Sequence, residues 1–352
     1  MATKMDAARV YRMMVRSRMV EDAIVEAWAE GLVPGEYHAA IGEEGINAGI
    51  IAHLTEHDTM ALDHRNTSPF IMRGTDPKAL MLEVLGSDEG INRGMSGHMH
   101  IFDKSVKAGS DGIVGSGGPL AVGQAYAHTR LHPGSVAITF HGEATMNQGL
   151  LMESYNMAVA WNLPVVFVCK DNKWGITTYS KDVTGGDPVS RAKGFGLHVE
   201  TAAGHKVQDV YAAAGRLVER ARAGKGPGFL YLTCHRPNGH FEGDPLVGLL
   251  RNPKKQLSVW VPELQGGLVA EGGSVADKAK AMAGVGVRAG RYTRDVALTL
   301  RKDPVRRGRS LVSSSVATKI EEQERAEIRA AMDEARERVG HRVGFGVKGG
   351  IR

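Results

Sequence analysis

Two apolar runs with a helix-length segment between them constrain this chain more than any other feature. Ser135-Val-Ala-Ile-Thr-Phe140 and Pro164-Val-Val-Phe-Val-Cys169 carry apolar residues on both faces, as strands covered on both sides must. Residues 148–161 supply the helix, so the three segments read as a βαβ unit with parallel, buried strands. Sheets of this kind take their ligands at the carboxyl ends of the strands. Here those ends are His141-Gly-Glu143 and Lys170-Asp-Asn172. A further strand, Gly228-Phe-Leu-Tyr-Leu-Thr233, follows a helix over residues 209–223 and delivers His235-Arg-Pro-Asn-Gly-His240. The expected fold class is α/β, a mostly parallel sheet flanked by helices.

Around this centre, Val10, Met14, Val15, Met19, Ile24 and Trp28 recur at helical spacing and end at Gly31. A second helix is expected over 43–54, a short strand over 59–63, and a charged helix over 320–339. Met13, Met14, Met19 and Met72 read as core filler. Arg9, Arg12, Arg16 and Arg18 resemble a transit peptide, but Glu21 and Asp22 follow and the apolar period continues, which favours a structural helix. Residues 86–123 are rich in glycine, yet Pro119 and Leu120 stand where a dinucleotide fingerprint needs its last glycine and helix start, so a nicotinamide enzyme is disfavoured. The organisation expected is a ligand-binding domain over 1–250, a Gly/Ala-rich insertion over 251–300, a helical segment over 301–340, and a tail, 341–352, that frays.

Composition removes several function classes. The net charge is +5, but the basic residues after Arg301 interleave with acids, which suits a solvated helix face and not a nucleic-acid cradle. No apolar run is long enough to span a bilayer, so no membrane partner is expected. Two cysteines, Cys169 and Cys234, cannot staple a chain this long; reduced thiols and a cytoplasmic setting follow.

The strand ends bring together a carboxylate (Glu143), an amide (Asn172) and an imidazole (His240). A hard cation such as Mg²⁺ takes oxygen ligands, commonly one or two from protein and the rest from phosphate and water. Glu143 and Asn172 end neighbouring parallel strands and can share one ion. The spacing alone also allows Glu143 to cap the next helix and Asn172 to make a turn.

His141-Gly-Glu-Ala-Thr-Met-Asn-Gln-Gly149, a spacer over 145–170, and Asp171-Asn172 resemble the thiamine diphosphate signature. Asn147-Gln-Gly149, Glu153-Ser-Tyr-Asn-Met-Ala158, Gly97-His-Met-His-Ile-Phe102, Gly112-Ile-Val-Gly115 and Gly239-His-Phe-Glu-Gly-Asp-Pro245 occur in the same order as in one family. That family is the alpha subunits of the decarboxylating component of 2-oxo-acid dehydrogenase complexes, including pyruvate, branched-chain and acetoin dehydrogenases. The resemblance covers residues 5–250 and 300–338.

It implies that Glu143, Asn172 and the Trp174 carbonyl hold Mg²⁺, and that Gly142, Ala144 and Thr145 lie along the diphosphate of thiamine diphosphate. Arg65 and His240 neutralise phosphate charge, His64 stands in for a phosphate-binding tyrosine, and Gly112 and Val114 offer backbone to the aminopyrimidine. His38 faces the reacting carbonyl, and with His240 handles protons. Read from the residues alone, His38 can equally pack against a loop, and His98 and His100 read as structural. The resemblance also implies a beta subunit carrying the pyrimidine-binding half, an α2β2 assembly, a lipoyl acyltransferase as acceptor, and a 2-oxo acid or acyloin substrate.

The chain departs from the family at defined positions. Gly142-Glu143-Ala144 replaces Gly-Asp-Gly, which lengthens the carboxylate arm and adds a Cβ beside the phosphate path. Asp171 replaces the first of two asparagines, and Thr67 replaces a histidine two places after Arg65. Three functions are therefore compared: a dehydrogenase subunit, a thiamine-diphosphate-dependent carboligase outside any complex, and an assembly subunit poor in cofactor.

Overall fold

The computed structural model describes residues 4–244 and 274–340, with isolated positions between them. Its helices are α1 (Ala7–Ala29), α2 (Glu44–Ile51), α3 (Thr67–Arg73), α4 (Pro77–Val84), α5 (Gly117–Leu131), α6 (Gly149–Ala160), α7 (Pro188–Gly194), α8 (Val207–Arg222), α9 (Val275–Arg301), α10 (Pro304–Gly308) and α11 (Ser314–Gly340). The strands are β1 (Thr59–Leu62), β2 (Phe102–Asp103), β3 (Ala108–Ser110), β4 (Ala137–Gly142), β5 (Val165–Asp171), β6 (Trp174–Gly175), β7 (Thr178–Tyr179), β8 (His198–Ala203) and β9 (Gly228–Thr233). Seven of them form one sheet in the order β2-β3-β1-β4-β5-β9-β8. Every neighbouring pair in it is parallel except β2 with β3.

The expected βαβ unit is present. Gly142 of β4 lies opposite Lys170 of β5, and Asp171 lies opposite Thr233 of β9. Residues 143, 172 and 234 onward therefore leave the sheet side by side. Alternation along the strands divides the core. Ile138, Phe140, Val166, Val168, Leu230 and Leu232 pack under α1, α2, α4, α8 and α11. Ala137, Val165, Phe167, Cys169 and Phe229 pack under α5 and α6. Both faces are covered, which is why these strands lack a polar side. Cys169 and Cys234 are buried and unpaired with each other.

The opening helix is structural, as expected. Met13, Met14 and Met72 are buried in the core, and Met19 packs against it. The arginines of α1 reach the far end of the chain: Arg12 and Arg16 each lie 2.7 Å from Glu324 of α11, and Arg18 bridges Glu44 and Asp303. This changes the expectation for the charged terminal helix. One face of α11 is solvated, but Ala317, Ile320, Ile328, Met332 and Ala335 are buried, and Glu324 is fully enclosed.

The glycine-rich stretch resolves into turns, β2, β3 and the start of α5. A Cβ on Gly117 would lie 2.8 Å from Thr139 Oγ1, and one on Gly118 2.7 Å from Ser154 Oγ. These glycines let α5 lie close against β4 and α6. The Gly/Ala-rich insertion holds the 27-residue helix α9 in its second half; most of residues 251–273, and the tail 341–352, lie outside the described residues. No described helix is long and apolar enough to cross a membrane.

Candidate active site

A cleft opens at the carboxyl ends of β1, β4, β5 and β9. His64, Arg65, Gly112, Val114, Gly142, Glu143, Ala144, Thr145, Asn172, Trp174 and His240 all line it. His38 stands behind it, its ring centroid 4.8 Å from that of His64 and 4.7 Å from that of His240.

Glu143 begins the 3-10 turn Glu143–Asn147 directly after β4. Its carboxylate is 4% exposed. Oε1 accepts from the Ser180 hydroxyl, and Oε2 accepts from the Asn172 backbone N–H at 3.3 Å. Among the described residues no lysine or arginine pairs with it. Burial, then the neighbouring Asp171, push this carboxyl up to about 7. A buried carboxylate with no ion-pair partner among the described residues, beside an amide and a turn of backbone, is the donor chemistry that a hard divalent cation satisfies. The longer arm of glutamate is taken up by folding back onto Ser180. Ala144 turns its methyl toward Gly175, whose own Cβ, if present, would lie 3.1 Å away.

Asn172 does make a turn. Its Oδ1 accepts from the Trp174 N–H at 3.1 Å, across Lys173 at φ +72°. One lone pair of that oxygen remains for a metal. The Trp174 indole is buried against Tyr179 and Tyr292, and its Nε1 donates to Asp295 Oδ2 at 3.1 Å. Thus α9, remote in sequence, props the turn from behind.

Gly142 has ordinary extended backbone, φ −75° and ψ 164°, and a Cβ there would meet nothing within 4 Å. Three buried polar atoms on cleft residues have no hydrogen-bond partner among the described residues: His64 Nε2, Thr139 Oγ1 and Arg236 Nε. A cradle with open space at its glycine and unmet polar atoms in its wall suits a polar, phosphate-bearing ligand.

Arg65 is buried and its guanidinium reaches two loops, donating to the carbonyls of Ala39 (2.5 Å), Gly239 (3.3 Å) and His240 (2.7 Å). It brings positive charge to the cleft and also ties the His38 loop to the His240 loop. Gly239, at φ +82°, supports the same turn; a Cβ there would sit 2.5 Å from Asp244 Oδ2, the atom that accepts the His240 N–H. Arg236 Nη1 lies 3.2 Å from His240 Nδ1. Since arginine only donates, Nδ1 accepts and the proton of neutral His240 sits on Nε2.

Burial, with Arg65 as the next cause, lowers His240 to about 3, and burial lowers His64 to about 3. Burial and the surrounding imidazoles and Arg65 lower His38 well below its usual range. All three are neutral near pH 7, so what His240 offers an anion is a hydrogen bond. Their nitrogen atoms lie within 4.8 Å of one another, a spacing a transition metal could bridge. Arg65 and Arg236 place positive charge beside them, and the Nδ1 lone pair of His240 is already engaged, which disfavours a cation. His98 is buried and bonded to His38. His100 is half-exposed and faces Asp111 at 3.4 Å.

The roles of several wall residues escaped the sequence analysis. Lys170 is fully buried and donates to Glu43 at 2.7 Å and Asp63 at 3.1 Å; those carboxylates hold its ammonium well above the usual lysine range. A lysine inside an apolar strand is itself a signal of buried acids. Ser180, Arg236 and Asp295 gave no such signal.

Fold and cleft together make an α/β domain with a polar cleft across its strand ends. Residues 11–253 match the model of the dehydrogenase E1 component. The chain is 41% identical over 237 residues to the acetoin:2,6-dichlorophenolindophenol oxidoreductase alpha subunit of Cupriavidus necator, covering 67% of this chain and 71% of that one. It is 37% identical to the protein of that name from Bacillus subtilis (69% and 73% covered) and 34% identical to the pyruvate dehydrogenase E1 component alpha subunit of Zymomonas mobilis (69% and 70%). The chain belongs to the dehydrogenase E1 component family of thiamine-diphosphate-dependent oxidoreductases. Helices α9, α10 and α11 lie beyond the matched region.

Proposed function

We propose that this chain is the alpha subunit of a Mg²⁺- and thiamine-diphosphate-dependent dehydrogenase acting on an acyloin or a 2-oxo acid and passing the acyl unit to a lipoyl carrier. One observation carries it: Glu143, a buried carboxylate with no ion-pair partner among the described residues, directly follows β4 and accepts from the Asn172 N–H, directly after β5, at 3.3 Å. Glu143, the second lone pair of Asn172 Oδ1 and the Trp174 carbonyl would hold Mg²⁺. Gly142, Ala144 and Thr145 would follow the diphosphate, with Arg65 supplying charge and His64 and His240 hydrogen bonds. Gly112 and Val114 would support the aminopyrimidine. When bound, the cofactor supplies stabilisation of a carbanion. His38 and His240 exchange protons with substrate oxygens, while Lys170, Glu43 and Asp63 keep the floor rigid.

Exposed apolar side chains surround the mouth of the cleft: Ile113, Val114, Leu120, Leu150 and Ile176. Such a rim on a half-site favours a beta subunit as its cover, in an α2β2 assembly. The two buried thiols suit the cytoplasm. The test is co-expression with a beta subunit, followed by Mg²⁺-dependent binding of thiamine diphosphate and reduction of an electron acceptor with acetoin and with a panel of 2-oxo acids. Failure to bind the cofactor in the complex would leave the assembly-subunit alternative. Product formed only with an aldehyde acceptor would indicate a carboligase. Thr67, part of the segment that prompted that alternative, is buried and lies 3.2 Å from the Tyr37 hydroxyl.

A further inference from the structure

His38 and His98 meet through a bond whose polarity can be worked out from the backbone. The His38 N–H lies 3.3 Å from His98 Nε2, and the His38 ring Nδ1 lies 2.8 Å from the same atom. A backbone N–H can only donate, so His98 Nε2 is an acceptor and carries no proton. The His38 nitrogen facing it must then be the donor. A neutral imidazole has one ring proton, which leaves the His38 Nε2 as a bare lone pair.

We propose that His98 is a positioning residue that holds His38 with its proton on Nδ1 and thereby presents Nε2 as the proton acceptor of the site. The claim deepens the function proposed above and rests on it for its catalytic part only. The two rings stack at 5.1 Å and 26°. His98 is itself fixed: its carbonyl accepts from Asn66 Nδ2 at 2.7 Å, and its ring packs edge-on against Tyr37 at 5.2 Å. The groups around His38 leave this polarity intact. His64 and His240 are neutral, Arg65 donates to carbonyls, and Glu36 is exposed and 4.0 Å from Nε2. On the other side, Arg236 gives His240 the opposite tautomer, with the proton on Nε2. The site thus carries one acceptor and one donor imidazole, 4.7 Å apart by centroid. That pair suits a hydroxyl, which donates to the first and accepts from the second. Orienting a general base in this way is a second-residue role, since the tautomer of a histidine is set by the bond its other nitrogen makes.

The test uses the chain labelled with ¹⁵N-histidine and assembled with its beta subunit. The His38 signals, assigned by their loss in His38→Gln, are expected to show a protonated Nδ1 and a bare Nε2 at pH 7. In His98→Phe, which keeps a ring but removes the acceptor, the proton is expected to distribute over both nitrogens. His98→Gln, which restores an accepting oxygen, should return it to Nδ1. In turnover, His98→Phe is expected to lower kcat about 10–100-fold with KM little changed, less than loss of a general base itself because His38 remains, and His98→Gln to recover most of it. A wild-type His38 protonated on Nε2 overturns the tautomer assignment whatever the enzyme turns over. Full kcat in a His98→Phe enzyme that has lost the Nδ1 preference overturns the catalytic part, while cofactor binding and basal turnover separately report on the proposed function.

Discussion

At Gly142 the fold itself makes no demand for glycine. Its backbone angles suit any residue, and an added methyl would enter open space. Gly142→Ala is therefore expected to keep its melting temperature in the free protein and to lose at least about tenfold in cofactor affinity, a difference of roughly 1.4 kcal/mol. Calorimetry of thiamine diphosphate binding checks it, and unchanged affinity would remove Gly142 from the phosphate path. Lys170 has the opposite character. It neutralises two carboxylates in a fully buried position, and removing one partner strands the others. Lys170→Met should cost about 3–5 kcal/mol in urea unfolding; a loss below about 1 kcal/mol would mean that water reaches Glu43 and Asp63. Glu143 and Lys170 were both visible in the sequence as charges at the end of apolar strands. What only the structure supplied was their difference: Lys170 forms two ion pairs, and Glu143 forms none among the described residues.

Among the elements, β4, β5 and β9 were legible because both faces are covered, so their apolar content is continuous. β8 was not. It is the sheet edge, half-exposed throughout, and His-Val-Glu-Thr-Ala-Ala has neither alternation nor an apolar run. α5 was hidden by the glycines and proline at its start, since small residues needed for close packing look like a loop. α9 was hidden by its Gly/Ala-rich composition and by exposure along most of its length. Yet α9 delivers Asp295 to the Trp174 indole and to Lys173, 3.9 Å away. Asp295→Ala should loosen the turn that carries Asn172 and Trp174. The expected outcome is a several-fold rise in the Mg²⁺ concentration that half-saturates cofactor binding, with about 1–2 kcal/mol lost in stability. An unchanged Mg²⁺ requirement would reduce α9 to a bystander.

For the whole molecule, burial of histidines sets the response to acid. His98 and His141 are both lowered to about 4 by burial. Each binds its proton in the unfolded chain near 6.5 and in the folded chain only near 4. The stability they contribute is complete above about 6.5 and is lost as pH falls toward 4. Glu21 and Asp22, raised to about 8 and about 6 by burial, act in the opposite sense, so the comparison is with a variant. The pH slope of unfolding free energy for wild type should exceed that of His98→Gln by about 1.4 kcal/mol per pH unit between 6.5 and 4. Equal slopes would show that His98 titrates normally. At the same scale, Leu120→Lys or Leu150→Lys on the exposed rim should abolish co-purification with a beta subunit while leaving the melting temperature of the free chain within about 2 °C, since exposed substitutions cost little.

The sequence by itself determined the parallel sheet, the strand ends where the cleft opens, and the family, because hydrophobic period and local motifs are properties of neighbouring residues. It also placed Glu143, Asn172 and His240 at one end of the sheet. Only the tertiary structure decided the electrostatics of that end. Whether a carboxylate is paired, which nitrogen of an imidazole holds its proton, and what props the Asn172–Trp174 turn depend on groups far apart in the chain. His38 and His98, or Trp174 and Asp295, meet only after the sheet has formed, and no spacing along the sequence encodes the distance between them.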